Sequence, residues 1–305
     1  MTERDPLPSW RPGATRDAVL DFLDAAAEIP LAQRVAVFDN DGTLWCEKPR
    51  YTQLEFFLAE LADEAARRPE LRGVPEYRAL LSGDSVAVAE LGLERIAMAL
   101  VDLCTGLEPE QFDARVQRWF SAAIHPDFGV SYGRTVYQPM LELIAALRSM
   151  QFGVYLVSGG GTEFVRAISR DLYGVEPEGV VGSMVTYRVT VVDGRPHLVR
   201  ANTVVGDVNE GEAKVANIQM ALGRRPVFAA GNSHGDAMML DYALAAEGPS
   251  TAMLIDHDDG EREYAYESKA GSFESTEPVT VLAERSGWTV VSMRDDWSRI
   301  FPDGR

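Results

Sequence analysis

Three short apolar runs, each ending abruptly in polar or glycine-rich sequence, constrain this chain more than any other feature. The first is Arg34-Val-Ala-Val-Phe38, which stops at Asp39-Asn-Asp-Gly-Thr43. The second, Gly153-Val-Tyr-Leu-Val157, stops at Ser158-Gly-Gly-Gly161, and the third, Pro226-Val-Phe-Ala-Ala230, stops at Gly231-Asn-Ser-His-Gly-Asp236. Short runs without polar alternation suit strands buried on both faces, as in parallel sheets. Helical periodicity precedes the first run over Thr15 to Glu28, where Val19, Leu20, Phe22 and Leu23 share one side. It follows the second run over Glu163 to Leu172 and resumes after Asp236. This order predicts an α/β, doubly wound (Rossmann-like) parallel sheet. Ligands of such sheets bind beyond the carboxyl ends of the strands, where the three polar loops would converge.

Asp39 and Ser158 are separated by 119 positions, far more than one crossover needs. Helical patterns over Gln53 to Arg68, around Leu91 to Leu103 and over Gln111 to Ile124 fill the interval. The expectation is a discontinuous core, residues 1–47 and 133–305, interrupted by a helical cap, residues 48–132, with Gln138 to Met150 as the returning helix. Phe56, Phe57, Trp119 and Phe120 recur at helical spacing and read as core. Ser158 and Lys214 are only 56 apart, which leaves room for a small β-hairpin: Tyr187 to Val192, a turn at Asp193-Gly194, then His197 to Arg200. Ala252 to Asp256 and Glu263 to Tyr266, flanking Asp259-Gly260, predict a second hairpin.

Charge narrows the partners. Among 305 residues, 29 Lys and Arg face 47 Asp and Glu, a net charge of −18. Such a surface repels phosphate backbones and anionic lipid, so nucleic-acid and membrane binding are disfavoured. The leading segment has no apolar core of a secretory signal. The most apolar helical stretch, Leu91 to Leu107, is broken by Glu94, Arg95 and Asp102, so a cytoplasmic protein is expected. Cys46 and Cys104 match no zinc or redox spacing and read as reduced thiols. The four histidines (125, 197, 234 and 257) form no metal-spaced pair, and His234 reads as an exposed loop residue.

The loops carry the chemistry. Asp39 and Asp41 sit two apart at a strand exit, and like charges this close call for a cation, a shared proton or a polar role. A plain strand-end turn, with Asp39 capping a helix, is the competing reading. The glycines after Ser158 let backbone N–H groups approach an anion at a helix start. They are not a dinucleotide fingerprint, because Phe164 stands where glycine or alanine is required. Lys214 lies in the first turn of a helical segment, Glu212 to Leu222, against the helix dipole. Taken alone, Asp236 reads as an N-cap.

Taken together, VFDNDGTL (37–44), LVSGG (156–160), Lys214 and AGNSHGD (230–236) resemble the haloacid dehalogenase superfamily, and within it the phosphoserine-phosphatase-like phosphohydrolases with a helical cap. The resemblance implies a Mg2+-dependent phosphomonoesterase acting on a small phosphorylated metabolite through an aspartyl-phosphate. Asp39 would be the nucleophile and Asp41 the general acid, then base. Ser158, Lys214, Thr43, Gly159 and Gly160 would hold the phosphoryl group. Mg2+ would be bound through Asp39, the Asp41 carbonyl and the fourth motif, Asn232 and Asp236. Asn232 departs from the family's usual aspartate, which implies weaker metal affinity or a larger share for Asp236 as ligand or anchor. Glu47, with Trp45 and Lys48, follows the first motif directly and is a candidate for substrate contact outside the phosphate site. Phosphotransfer to small alcohols by the same residues, a phospho-acceptor regulator, and a metal- or phosphate-binding module are the competing functions. A homodimer is left open.

Overall fold

Val35, Ala36, Val37 and Phe38 are wholly buried, and they form β1 (Val35–Phe38), the centre of the sheet. In the computed structural model, which describes residues 5–268 and 277–302, β1 pairs in parallel with β2 (Gly153–Gly161) and with β5 (Phe228–Gly231). β2 carries β3 (Val180–Val192), which turns at Asp193-Gly194 into antiparallel β4 (Arg195–Val205). Beyond β5 lie β6 (Thr251–Asp256) and β7 (Thr289–Ser292), both parallel. The order is β4-β3-β2-β1-β5-β6-β7.

Successive side chains of a strand point to opposite faces, and here each face has its own core. Ala36 and Phe38 pack with α1 (Ala14–Ala25), α7 (Gln138–Ser149) and α8 (Thr162–Tyr173). Val35 and Val37 pack with α9 (Glu212–Leu222), α10 (Ala237–Leu244) and α11 (Val279–Ser286). Helices on both faces make the sheet doubly wound, as the sequence predicts. A last short helix, α12 (Met293–Asp296), follows β7.

Five helices fill the interval between β1 and α7: α2 (Thr52–Arg67), α3 (Pro75–Ser82), α4 (Ser85–Leu91), α5 (Leu93–Leu103) and α6 (Pro109–Ala122). Pro109 pre-sets the first turn of α6, and Glu108 with Gln111 forms a reciprocal capping box. Leu61, Tyr77 and Leu103 make a small local core among these helices. Phe56 and Phe112 instead join the core of the α8 face, and the ring of Phe56 lies 5.6 Å from that of Phe164. Full burial of an aromatic such as Phe56 contributes about 2 kcal/mol. The expected core aromatics behave so: Phe56 and Phe57 are buried, and Trp119 and Phe120 pack part-buried against the same core.

One expectation fails. Ala252 to Asp256 is no hairpin arm but β6, between β5 and β7, and Glu263 to Tyr266 forms no strand beyond an isolated bridge from Ala265 to Asp258. Ala252, Met253, Leu254 and Ile255 are all buried, a continuous apolar run of the kind that marks an interior parallel strand. The Asp259-Gly260 turn signal belongs to the loop that follows. Cys46 and Cys104 are free and buried. Among the described residues, no helix is long and apolar enough to cross a membrane.

Candidate functional site

The end of β1 places Asp39. Its N–H still donates to the Ala230 carbonyl of β5 at 2.9 Å, so sheet register fixes the residue before the loop begins. The chain then turns through Gly42 at φ +71°. A methyl group there would sit 2.0 Å from Asn232 Nδ2, so glycine is required both for the left-handed backbone and for the contact between the loops after β1 and β5.

Lys214, in the first turn of α9, is 2% exposed. Its Nζ donates to Asp39 Oδ1 at 2.6 Å and to Asp236 Oδ1 at 2.5 Å. Burial pulls the ammonium's pKa down, but Asp236 and Asp39 outweigh it and hold the group protonated, above its ordinary value. The same pair offsets the cost of a cation at a helix start. Asp236 Oδ2 accepts from the N–H groups of Asn232 and Ser233, each at 3.0 Å, and from the Ser233 hydroxyl at 3.1 Å. Three donors thus converge on Oδ2, with Lys214 on Oδ1.

Asp39 Oδ2 lies 3.2 Å from the Thr43 hydroxyl, which is also 3.4 Å from Asn232 Oδ1. Burial, reinforced by Asp236 and opposed by Lys214, raises Asp39 well above the usual carboxylate range. Asp41 accepts from Trp45 Nε1 at 2.9 Å through Oδ1. Burial lifts its pKa to about 6 against the lowering effect of that bond. Trp45 is therefore both core, stacked on Phe120 with ring centroids 6.0 Å apart, and the residue that orients Asp41.

Ser158 is fully buried. Its Oγ accepts from the Gly160 N–H at 3.0 Å, which leaves the O–H free to donate elsewhere. A methyl group on Gly160 would lie 3.2 Å from Ser158 Oγ, 3.8 Å from Asp41 Oδ2 and 2.9 Å from Gln53 Oε1. The first two motifs and α2 therefore meet within one side chain's width. Gly159 faces Glu210, whose Oε1 would be 2.9 Å from a methyl there. Glu47 is buried beside Gly42, with Lys48 Nζ 3.6 Å from its carboxylate and 4.1 Å above the Tyr266 ring. His234 is half-buried rather than exposed, because its loop folds into the 3-10 turn that Ser233 and Asp236 cap.

Three residues that sequence reading passed over also build the site. Gln53 Oε1 accepts from the Gly161 N–H at 2.8 Å. Asn209 Nδ2 donates to the carbonyls of Ser158 and Val181, each at 3.0 Å, while its Oδ1 accepts from Asn217 of α9 at 2.9 Å. His257 Nε2 donates to the Gly42 carbonyl at 2.8 Å, with Glu263 Oε2 3.3 Å from Nδ1. Asn209 lies five residues before Lys214, a cue the sequence offered. Gln53 and His257 had none.

The donor chemistry suits a hard cation. Three carboxyl groups, Asp39, Asp41 and Asp236, gather around one lysine, more oxygen ligands than that cation uses. The oxygens of Asp39, of the Asp41 main chain and of Asn232 belong to loops in contact. Among the described residues, no group of three His, Cys, Asp or Glu side chains is arranged to hold a metal ion. The described residues therefore offer no cage made only of such side chains. Few protein oxygens completed by water is the coordination Mg2+ favours.

A sequence profile described as haloacid dehalogenase-like hydrolase matches residues 36–241. Among solved structures, the chain is similar to a protein of unknown function from Bordetella pertussis Tohama I, with 18% identity, 85% of this chain and 98% of that chain covered, and a TM-score of 0.50. It is also similar to a functionally unknown protein from Anaerococcus prevotii DSM 20548, at 14% identity, 84% and 89% coverage and a TM-score of 0.53. A probable phosphoserine phosphatase from Vibrio cholerae aligns at 16% identity, 80% and 65% coverage and a TM-score of 0.40. No match was found among curated proteins. The structural likenesses speak to the fold alone. The profile spans most of the chain and every residue from Asp39 to Asp236 that forms the cluster around Lys214, so the chain belongs to the haloacid dehalogenase-like hydrolases.

Proposed function

We propose that this hydrolase is a Mg2+-dependent phosphomonoesterase acting on a small phosphorylated metabolite, phosphoserine-like or otherwise, through an aspartyl-phosphate on Asp39. The observation that carries the reading is the pinning of Asp39 by Lys214 at 2.6 Å and Thr43 at 3.2 Å, beside a second carboxyl, Asp41, whose pKa of about 6 suits proton transfer near neutrality.

Mg2+, held by Asp39, the Asp41 carbonyl and Asn232, would neutralise charge on the transferring group. Lys214 and the Ser158 hydroxyl would bind phosphoryl oxygens, with Gly159 and Gly160 allowing close approach. An Asp39 oxygen attacks phosphorus as the bond to the alcohol oxygen breaks, and Asp41 gives its proton to that oxygen. Water then attacks phosphorus, Asp41 takes up the water's proton, and inorganic phosphate leaves with Asp39 restored. Division into two displacements at one carboxylate is covalent catalysis. Residues 48–132 would act as the cap that selects the alcohol, with Glu47 at its root.

Phosphate release from a panel of metabolite phosphates with Mg2+ tests this reading. Release is expected for at least one phosphomonoester, and Asp39→Asn should fall to background. Undiminished turnover by Asp39→Asn would remove Asp39 as nucleophile. Phosphoryl recovered on an added alcohol, in place of free phosphate, would replace hydrolysis with phosphotransfer.

A further inference from the structure

We propose that Asn209 is a positioning residue for phosphoryl binding: it orients the Ser158 hydroxyl through a chain of hydrogen bonds and ties that segment to the helix that carries Lys214. This rests on the reading of Ser158 and Lys214 as phosphoryl-binding groups.

Asn209 lies between β4 and α9 and is wholly buried. The orientation of a side-chain amide is usually ambiguous, but here the main chain settles it. A carbonyl oxygen can only accept, and those of Ser158 and Val181 each lie 3.0 Å from one end of the amide. That end is therefore Nδ2, with one N–H for each carbonyl. Oδ1 takes the other side, where Asn217 Nδ2 donates to it at 2.9 Å. Asn217 follows Lys214 by three positions in α9, so the two are neighbours on that helix. One carboxamide thus spans the strand of Ser158 and the helix of Lys214.

The main chain of Asn209 reaches the same segment by a second route. Its N–H donates to Ser183 Oγ at 3.0 Å, and the Ser183 hydroxyl donates to the Gly159 carbonyl at 2.8 Å. A trans peptide is planar, with its C=O and N–H on opposite sides. The peptide whose carbonyl Ser183 holds therefore points the Gly160 N–H the other way, and this N–H donates to Ser158 Oγ at 3.0 Å. That bond takes a lone pair of the oxygen and leaves the Ser158 proton for another acceptor. Two consecutive peptides, one held at the Ser158 carbonyl and one at the Gly159 carbonyl, are thus set from Asn209. In a buried chain of this kind each bond polarises the next. None of the partners of Asn209 is an oxygen assigned to the metal, so its effect should separate from metal binding.

Calorimetric titrations of inorganic phosphate with Mg2+ present, and of Mg2+ alone, into the wild type, Asn209→Ala, Asn217→Ala and the double variant test the proposal. Asn209→Ala strands two buried carbonyls, so phosphate should bind at least about tenfold more weakly, with Mg2+ affinity unchanged. Asn217→Ala removes one neutral hydrogen bond and should weaken phosphate binding roughly threefold. In the Asn209→Ala background it should add nothing, because its route to Ser158 is already cut. Wild-type phosphate affinity in Asn209→Ala would overturn the proposal. Parallel losses of phosphate and Mg2+ affinity would make Asn209 a structural anchor only and overturn it too, as would additive losses in the double variant. If Asn209→Ala does not fold, Asn217→Ala decides: a loss confined to phosphate supports the proposal, and unchanged affinity overturns it. Turnover is not read, so a protein that binds phosphate in this Asn209-dependent way yet hydrolyses no ester would refute hydrolysis and leave the positioning role standing.

Discussion

Lys214 Nζ lies 2.6 Å from Asp39 and 2.5 Å from Asp236, so one buried ammonium joins the end of β1 to the loop after β5. Its stem rises from α9, on the face of the sheet that Val35 and Val37 line. The cation therefore ties three segments together as well as facing the reacting groups.

Replacing it with methionine should be costly. Lys214→Met leaves two buried carboxylates facing each other without their partner, and breaking a buried pair in this way typically costs about 3–5 kcal/mol. Urea unfolding at neutral pH should show a loss of that order. Saturating Mg2+ should recover part of it by restoring positive charge. A midpoint unchanged from wild type would mean that Lys214 does not stabilise this cluster.

Asp41 should titrate at about 6 in the metal-free protein, because burial disfavours its charged form. Its folded value exceeds the ordinary 3.8, so the stability contributed by the neutral carboxyl is lost as pH rises between those two values. Trp45→Phe removes the donor to Oδ1 and should move the titration higher, while Mg2+ should move it lower. Carboxyl carbon shifts measured by NMR against pH read all three, and a titration near 4 in the metal-free wild type would contradict the assignment.

Gly42→Ala should weaken Mg2+ binding more than it lowers global stability. The left-handed backbone costs an alanine roughly 1–2 kcal/mol. The added methyl would also meet Asn232 Nδ2 at 2.0 Å and force that side chain away. Calorimetric titration of Mg2+ alone, beside thermal unfolding, separates the two effects. Equal Mg2+ affinity in variant and wild type would dissociate Asn232 from the metal.

Glu263 should stabilise the fold above mildly acidic pH. Burial by itself would push its pKa up, but His257 outweighs burial, with help from Cys46 and the Tyr264 N–H, and holds it below 4.5. The ionised group therefore contributes stability above pH 4.5 that is lost as pH falls through the lower, folded value. The difference in stability between wild type and Glu263→Gln should shrink as pH is lowered into the acidic range below 4.5. A difference independent of pH would show that the group is not ionised.

The central strands were legible because burial on both sides removes polar alternation. β1, β2 and β5 each show this as an apolar run that ends at its loop. β6 has the same signature, yet Asp259-Gly260 nearby suggested a hairpin, and local turn chemistry outweighed the apolar run in the reading. β7, four residues at the sheet edge with one fully buried, was too short and too mixed to stand out. The cluster around Lys214 was readable because each member sits at a strand exit or helix start. Gln53 was not readable, since its role depends on α2 folding back over a glycine 108 residues away. No local pattern encodes such a contact.

The support given to Gly42 by His257 bears on where the working unit of this protein ends. The family profile ends at residue 241, and His257 lies sixteen residues beyond it. A fragment trimmed to the matched residues would keep every motif and lose the prop beneath the first of them. Grafting this chemistry onto another scaffold would require carrying that prop along with it.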